Sequence, residues 1–382
     1  MNFDFSEEQV MLRDSVARFI QDDYSFDARR EIAASDTGMS AEHWQTFAEL
    51  GWLSVPFAEE HGGFGGGPVD VMVMMEEFGK GLVLEPYFAT VILFGGVLQR
   101  AGSPGQQAAY IPRIIDGSCL GAFAFAERQS RYELADVKTT ASADGDGFVL
   151  NGEKVVVQNG ANADTLIVAA RTSGEQCDEE GVSLFIVDAA ADGVTRLTYA
   201  LMDGQRAANV TFNNVRVSRD ALLGEEGKAM PAVSRVALES CVALAAEGLG
   251  IMGQLNTKTL EYTKQREQFG VAIGSFQALQ HRMVDTFMSY EQTKSLLYRA
   301  VCTLEKDNED PARDIHALKV MLDRAGRHIH AEAIQLHGGM GLTDEMDIAH
   351  YAKRLITLNA MFGDGDHHQA RFNALDFASS AA

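Results

Sequence analysis

Residues 147–158 read GFVLNGEKVVVQ, and the reading of this stretch decides the fold class. The pair Asn151-Gly152 stands between the apolar runs FVL and EKVVV. Asn-Gly between β-rich runs predicts a two-residue hairpin, because both residues tolerate positive φ. Around it lie GAFAFAE, TTASADGD, DTLIVAART, VSLFIVDA and AANVTFNNVRV, short β-rich runs separated by Gly, Asn and Asp. Short strands without intervening helices predict a compact antiparallel barrel or sandwich rather than a parallel nucleotide-binding sheet. This middle β domain covers residues 119–226.

On either side the periodicity changes to that of helices. Ser6 and Gln9 predict a capping-box start for SEEQVMLRDSVARFI, and AEHWQTFAELG, VDVMVMMEEFGKGL and EPYFATVILFGGVLQRAG follow. HGGFGGGP (61–68) precedes no strand–loop–helix unit, so its glycines predict a connector rather than a phosphate cradle. After residue 230 four long amphipathic runs with short joints predict an antiparallel four-helix bundle. The fold class is therefore α+β and mainly α. An N-terminal helical domain (1–118) and the small β domain (119–226) precede a C-terminal helical bundle domain (227–382).

Composition narrows the function. The chain has 382 residues, 46% of them apolar, and a formal net charge of −22. That surface repels phosphate backbones and anionic lipids, which argues against nucleic-acid or membrane partners. An anionic cofactor then needs a local basic pocket. No run has the ~18 uninterrupted apolar residues of a spanning helix, so no membrane insertion is expected. MNFDFSEEQVMLRD does not resemble a secretory signal. Cys119, Cys177, Cys241 and Cys302 are far apart and read as free thiols of a reducing cytoplasm, with no zinc site.

Several motifs sit at the joints of this layout. Arg266, Phe269 and Gly270 (RxxFG) close the first bundle run, and Gln277 lies in SFQALQ just after. QLHGGMGLT (335–343) joins the third and fourth runs, and Thr139–Ala141 precede GFVLNGEK. In this order the motifs resemble the acyl-CoA dehydrogenase family of flavoproteins, over essentially the whole chain. The ending HGGMGLTDE…HYAKRL…FGDGDHH is similar to small subunits of two-component members, such as that of pimeloyl-CoA dehydrogenase.

The resemblance implies FAD at a subunit interface and an acyl-CoA thioester as substrate. A carboxylate takes the α-proton and the β-hydrogen leaves as hydride, giving a trans-2-enoyl-CoA. Electrons pass to an electron-transfer flavoprotein, as in the β-oxidation of fatty acids or steroid side chains. By the same resemblance Arg266 meets the FAD pyrophosphate, and Phe269 and Gln277 meet the adenosine half. Gln335, Gly338 and Gly339 form the turn against which the cofactor of the neighbouring subunit lies.

The groups that would hold the flavin ring differ. The family's Thr-Glu-Pro reads Ala126-Glu127-Arg128, and its Lys-x-Trp-Ile-Thr reads Lys154, Val156, Val157 and Gln158. A hydroxyl and an aromatic plane are missing. Residues 361–368, MFGDGDHH, place Phe362 where the family has its glutamate base, and phenylalanine accepts no proton. Asp364 there would repel a pyrophosphate or a reduced flavin. His367 and His368 lack the i,i+4 spacing of a metal pair, so the stretch reads as a helix stop.

Some relatives carry the base on the first bundle helix, where Ser240 falls on the position and Glu239 precedes it by about 100° of helix rotation. Glu239, amid Val, Ala, Leu and Cys, is expected to be desolvated with a raised pKa, as a base requires; Glu247 lies farther along. Two readings stand: a catalytic subunit with Glu239 as base, or an assembly subunit completing the FAD site of a homologous chain, in a heterotetramer. Arg128 and Arg131 either meet a CoA phosphate or distal carboxylate, or are solvated.

Overall fold

The computed structural model describes residues 5–306 and 310–380. The first four residues of the MNFDFSEEQVMLRD stretch lie outside them. The α-helices are α1 (Glu7–Asp23), α2 (Phe26–Ala34), α3 (Ala41–Glu49), α4 (Pro68–Gly81), α5 (Gly95–Ala101), α6 (Pro104–Ile115), α7 (Met230–Gln265), α8 (Gln277–Leu304), α9 (Ala312–His337), α10 (Asp347–Ala360) and α11 (Gly365–Ser380). The strands are β1 (Gly121–Ala124), β2 (Thr140–Asp144), β3 (Gly147–Gln158), β4 (Thr165–Arg171), β5 (Val182–Asp188), β6 (Val194–Ala200), β7 (Arg206–Ser218), β8 (Leu222–Leu223), β9 (Glu267–Gln268) and β10 (Val271–Ala272). They group into two compact units, residues 1–30, 68–83 and 241–382, and residues 31–67 and 84–240. This grouping cuts across the three zones read from sequence, because the N-terminal helices divide between the units.

In the helical unit, α1 starts with the expected capping box: the Ser6 hydroxyl accepts from the Gln9 N–H at 3.2 Å, and the Gln9 side chain accepts from the Ser6 N–H at 3.0 Å. α9 buries Ile315, Leu318, Leu322, Ala325, Ile329, Ala333 and Leu336, a stripe at three- and four-residue spacing that faces α8, α10 and α11. The most apolar window of α7 has a mean hydropathy of 1.5 and is 83% buried, so its apolar side chains are core rather than a spanning surface. α11 is an addition to the four helices expected.

The other unit is built on one eight-stranded sheet in the order β6-β7-β3-β2-β4-β5-β8, with β1 beside β4. Phe148, Leu150, Leu166, Val168, Phe185 and Val210 fill its core. The sheet is mixed rather than purely antiparallel, since β1 and β2 each pair with β4 in parallel. β6, largely exposed, carries little apolar alternation and escaped the sequence reading.

The hairpin expected at Asn151-Gly152 is corrected. The turn lies at Gly145-Asp146, where Asp144 pairs with Gly147, and β3 runs straight through Asn151-Gly152. There the register against β7 slips between Leu150 and Gly152, which makes a β-bulge. Thr139 explains the glycine: a Cβ at residue 152 would lie 2.5 Å from its hydroxyl oxygen. Asn151 holds the bulge by accepting the Asn214 N–H at 2.8 Å.

Candidate functional site

One end of the helical unit carries the predicted cofactor-tail residues. α7 stops at Gln265, and β9 and β10 then form a minimal hairpin whose turn residues are Phe269 (φ 56) and Gly270 (φ 81). Two positive φ angles are the signature of a hairpin turn with right-handed twist, and they explain the glycine. For phenylalanine the left-handed conformation costs about 1–2 kcal/mol. Phe269 is nevertheless 93% exposed, touching only the edge of Phe276 at 6.3 Å among aromatic neighbours. Strain together with exposure makes Phe269 a candidate contact residue.

Arg266, beside it, is exposed, and its guanidinium has no hydrogen-bond or ion-pair partner among the described residues. Gln277 opens α8 a few residues on, also exposed. The second corner is the end of α9. Gln335 is exposed in its last turn, and its carbonyl accepts the Gly338 N–H as the chain turns away at φ 62, ψ −141. No atom lies within 4 Å of a Cβ built on Gly338 or Gly339, so both glycines face open space. The corners are joined by Tyr262 stacked on His337 at 4.3 Å, with the Tyr262 hydroxyl donating to the His337 carbonyl at 3.3 Å. An unpaired cation, a strained exposed ring and an open glycine turn suit an anionic dinucleotide tail.

The sheet unit holds the positions that would face the flavin ring. Glu127 is buried and accepts from the Lys138 and Thr139 N–H groups at 2.8 and 3.0 Å, from Gln129 at 2.8 Å, and from the Lys154 ammonium at 2.7 Å. Burial pushes its carboxyl upward, but the Lys154 charge and these donors hold it down to about 2. Lys154, wholly buried, also donates to the Phe125 carbonyl at 3.2 Å. Past it the chain bulges again, with Val156 at φ 51 and 49% exposed, a conformation rare for a β-branched residue. The Val156 N–H donates to the Asn209 side-chain oxygen at 3.2 Å, which also accepts the Tyr199 hydroxyl at 2.8 Å. The scaffold is built, yet Ala126, Val156 and Gln158 supply neither the hydroxyl nor the aromatic plane. Arg128 is taken by Glu153, through bonds of 3.2 and 3.0 Å, whereas exposed Arg131 has no partner among the described residues.

The expectation for Glu239 is corrected. Its carboxylate is clamped by two guanidiniums, accepting from Arg100 at 3.1 Å and through a second bond, and from Arg235 at 2.9 Å. It is not the desolvated carboxylate that its apolar sequence neighbours suggested, because Arg100 reaches it from α5 and Arg235 from one turn back on α7. Ser240 is buried, its hydroxyl without a hydrogen-bond partner. Glu247 is buried in a bidentate pair with Arg354, at 2.6 and 2.8 Å.

MFGDGDHH is the turn from α10 into α11. Phe362 has φ 56, and Gly363 has φ 118 with no room for a Cβ, which would lie 2.6 Å from the His367 ring. Asp364 is the N-cap of α11, its side chain accepting the His367 N–H at 2.9 Å, and this role explains a carboxylate there. Lys319 donates to the Met361 carbonyl at 2.8 Å, and His368 Nε2 donates to the Phe362 carbonyl at 3.1 Å. With its Nε2 proton so used, His368 Nδ1 accepts from His316 Nδ1 at 2.9 Å. Burial keeps both rings neutral, pushing His368 down to about 2 and His316 to about 4. Lys319 and His316 were missed in the sequence. The available signal was a lysine on the apolar stripe of α9.

Comparison with known proteins covers most of the chain. Residues 6–118, 122–215 and 232–370 match the family models for the N-terminal, middle and C-terminal domains of acyl-CoA dehydrogenases. Over 359 residues the chain is 30% identical to the probable acyl-CoA dehydrogenase YngJ of Bacillus subtilis (strain 168), covering 91% of this chain and 92% of that one. It is also 30% identical to the mitochondrial isovaleryl-CoA dehydrogenase of Arabidopsis thaliana, covering 89% of this chain and 84% of that one. Among solved structures, the steroid ACAD Tcur3481-Tcur3483 superposes with a TM-score of 0.88 at 28% identity, covering 98% of this chain and 99% of that one.

Proposed function

Because this chain belongs to the acyl-CoA dehydrogenase family of FAD-dependent oxidoreductases, we propose that it serves as one subunit of a heteromeric acyl-CoA dehydrogenase. In this role it completes the FAD site of a homologous chain that carries the base. The observation behind the proposal is an asymmetry. Arg266, Phe269, Gln277, Gln335 and Gly338-Gly339 stand exposed at one end of the helical unit, the arginine unpaired among the described residues and the phenylalanine strained. At the ring positions Ala126, Val156 and Gln158 lack the groups a flavin ring uses, and the carboxylates at or near the base positions are occupied by arginines.

FAD, when bound, supplies the acceptor for the hydrogen pair removed from the acyl-CoA. This chain's part is binding and orientation. Arg266 offers a planar fork to phosphate oxygens, and Phe269 offers an aromatic face. Gln277 and Gln335 offer amide groups, and the Gly338-Gly339 turn offers backbone without side chains in the way. The resulting complex desaturates an acyl-CoA thioester to the trans-2-enoyl-CoA, with electron-transfer flavoprotein as acceptor. A solved relative named for two polypeptides supports the two-chain reading.

FAD stoichiometry tests the proposal. The chain purified alone is expected to be nearly colourless, and co-expression with a homologue carrying the ring-binding Trp and Thr to give a yellow complex. A lone preparation with one tightly bound FAD per chain that desaturates thioesters unaided overturns it.

A further inference from the structure

In the sheet unit, the segments 37–39, 84–89, 158–162 and 205–206 wall a cavity of about 20 Å³. Two buried polar side chains that line it have unused capacity. Glu85 is 3% exposed; its Oε1 accepts the Ser40 N–H at 3.2 Å and lies 3.5 Å from His43 Nδ1, while Oε2 has no hydrogen-bond partner among the described residues. Asn159 is 6% exposed; its Oδ1 accepts from Asn162 at 3.1 Å, while Nδ2 has no partner among the described residues. An unpaired carboxylate oxygen in a buried site is costly, and so is an unpaired amide donor, unless each meets a complementary group.

We propose that this cavity is a polar subsite that binds one neutral hydroxyl oxygen, donating to Glu85 Oε2 and accepting from Asn159 Nδ2. The chemistry and the small volume together narrow the occupant. A carboxylate is an acceptor only, so the ligand must donate to it. An amide NH₂ is a donor only, so the ligand must accept, which an ammonium group does not do. A hydroxyl does both. The volume holds about one water-sized group, since roughly 10–15 Å³ on this measure is the minimum for one. Pro86, Phe88 and Ala89 supply apolar wall on one stretch, while Thr37, Gln158, Gln205 and Arg206 also line the cavity. The two side chains that hold the oxygen, Glu85 and Asn159, are not among the residues placed in the cofactor role above, although Gln158 lies in the cavity wall.

Crystals of the native protein, before and after soaking in methanol, test this directly. The expected result is one oxygen within hydrogen-bond distance of both Glu85 Oε2 and Asn159 Nδ2. Replacement of that oxygen by methanol identifies an alcohol subsite, and its persistence through the soak identifies water as the occupant. In solution, Glu85→Gln and Asn159→Ala, alone and together, are expected to shift the unfolding equilibrium non-additively, with coupling on the order of tenfold. A cavity with no oxygen touching both atoms, or additive effects of the two substitutions, overturns the proposal.

Discussion

Lys319 and Met361 are joined through a 2.8 Å bond from the buried ammonium to the backbone carbonyl that precedes Phe362. The same ammonium reaches the Leu358 carbonyl at 3.3 Å, so one lysine of α9 closes the C-terminal end of α10. Cations at helix C-termini satisfy carbonyls left without partners and favour the local dipole. With His368 on the next carbonyl and Asp364 capping α11, the turn that carries Phe362 is held on every side.

Lys319→Met is expected to lower stability by about 1–3 kcal/mol at neutral pH, because two carbonyls lose their donor in a poorly hydrated place. Burial depresses the Lys319 pKa below its ordinary 10.5. The folded state therefore binds fewer protons than the unfolded state as pH approaches 10.5, and native stability rises through that window. Denaturant titrations at increasing pH should show this rise in the native chain and a smaller one in the variant, where buried Lys154, itself held down to about 8, still contributes.

Phe269→Gly is expected to act in opposite directions on stability and on the cofactor. Relief of the φ 56 strain should raise the stability of the isolated chain by up to about 1–2 kcal/mol, offset in part by glycine's larger unfolded entropy. In the assembled complex the same change removes the exposed ring and should accelerate FAD loss. Thermal unfolding of the chain alone, beside flavin release from the complex, separates the two. Loss of stability with no change in FAD retention would refute the role given to Phe269.

Glu239→Gln should leave turnover of the assembled enzyme within about threefold, where removal of a general base costs about 10²–10⁴-fold. The carboxylate is a partner for Arg100 and Arg235, and such part-exposed pairs contribute about 1 kcal/mol or less. Steady-state rates of the variant complex decide the matter. A loss of a hundredfold or more would return the base to this chain.

Glu127→Gln is expected to cost about 3–5 kcal/mol at neutral pH, because it leaves the Lys154 ammonium buried without its counter-charge. Glu127 titrates in the fold at about 2 against an ordinary 4.5. Its contribution is therefore complete above pH 4.5 and is lost as pH falls toward 2. The stability difference between native chain and variant, followed by acid denaturation, should shrink across that window.

The helical zones were legible because each carries a local signal: the Ser6–Gln9 capping box, the apolar stripe of α9 and the apolar length of α7. The RxxFG and HGG corners were equally legible, since the turn at Phe269-Gly270 and the end of α9 are set by residues adjacent in the chain. Asn151-Gly152 was misread because the same dipeptide serves a turn or a bulge. The choice depends on whether β7, about 60 residues away in sequence, continues to pair on both sides of it.

What the sequence by itself determined is the family and the order of elements, and it named the residues we propose for an anionic cofactor tail. What only the tertiary structure decided is which charges are free. Arg128, Glu239 and Glu247 look alike as isolated letters, yet each is paired by a residue remote in sequence or from another turn of helix, while Arg266 and Arg131 have no such partner among the described residues. Electrostatic availability depends on distances of a few ångströms between segments far apart in the chain, and local pattern carries no record of those distances.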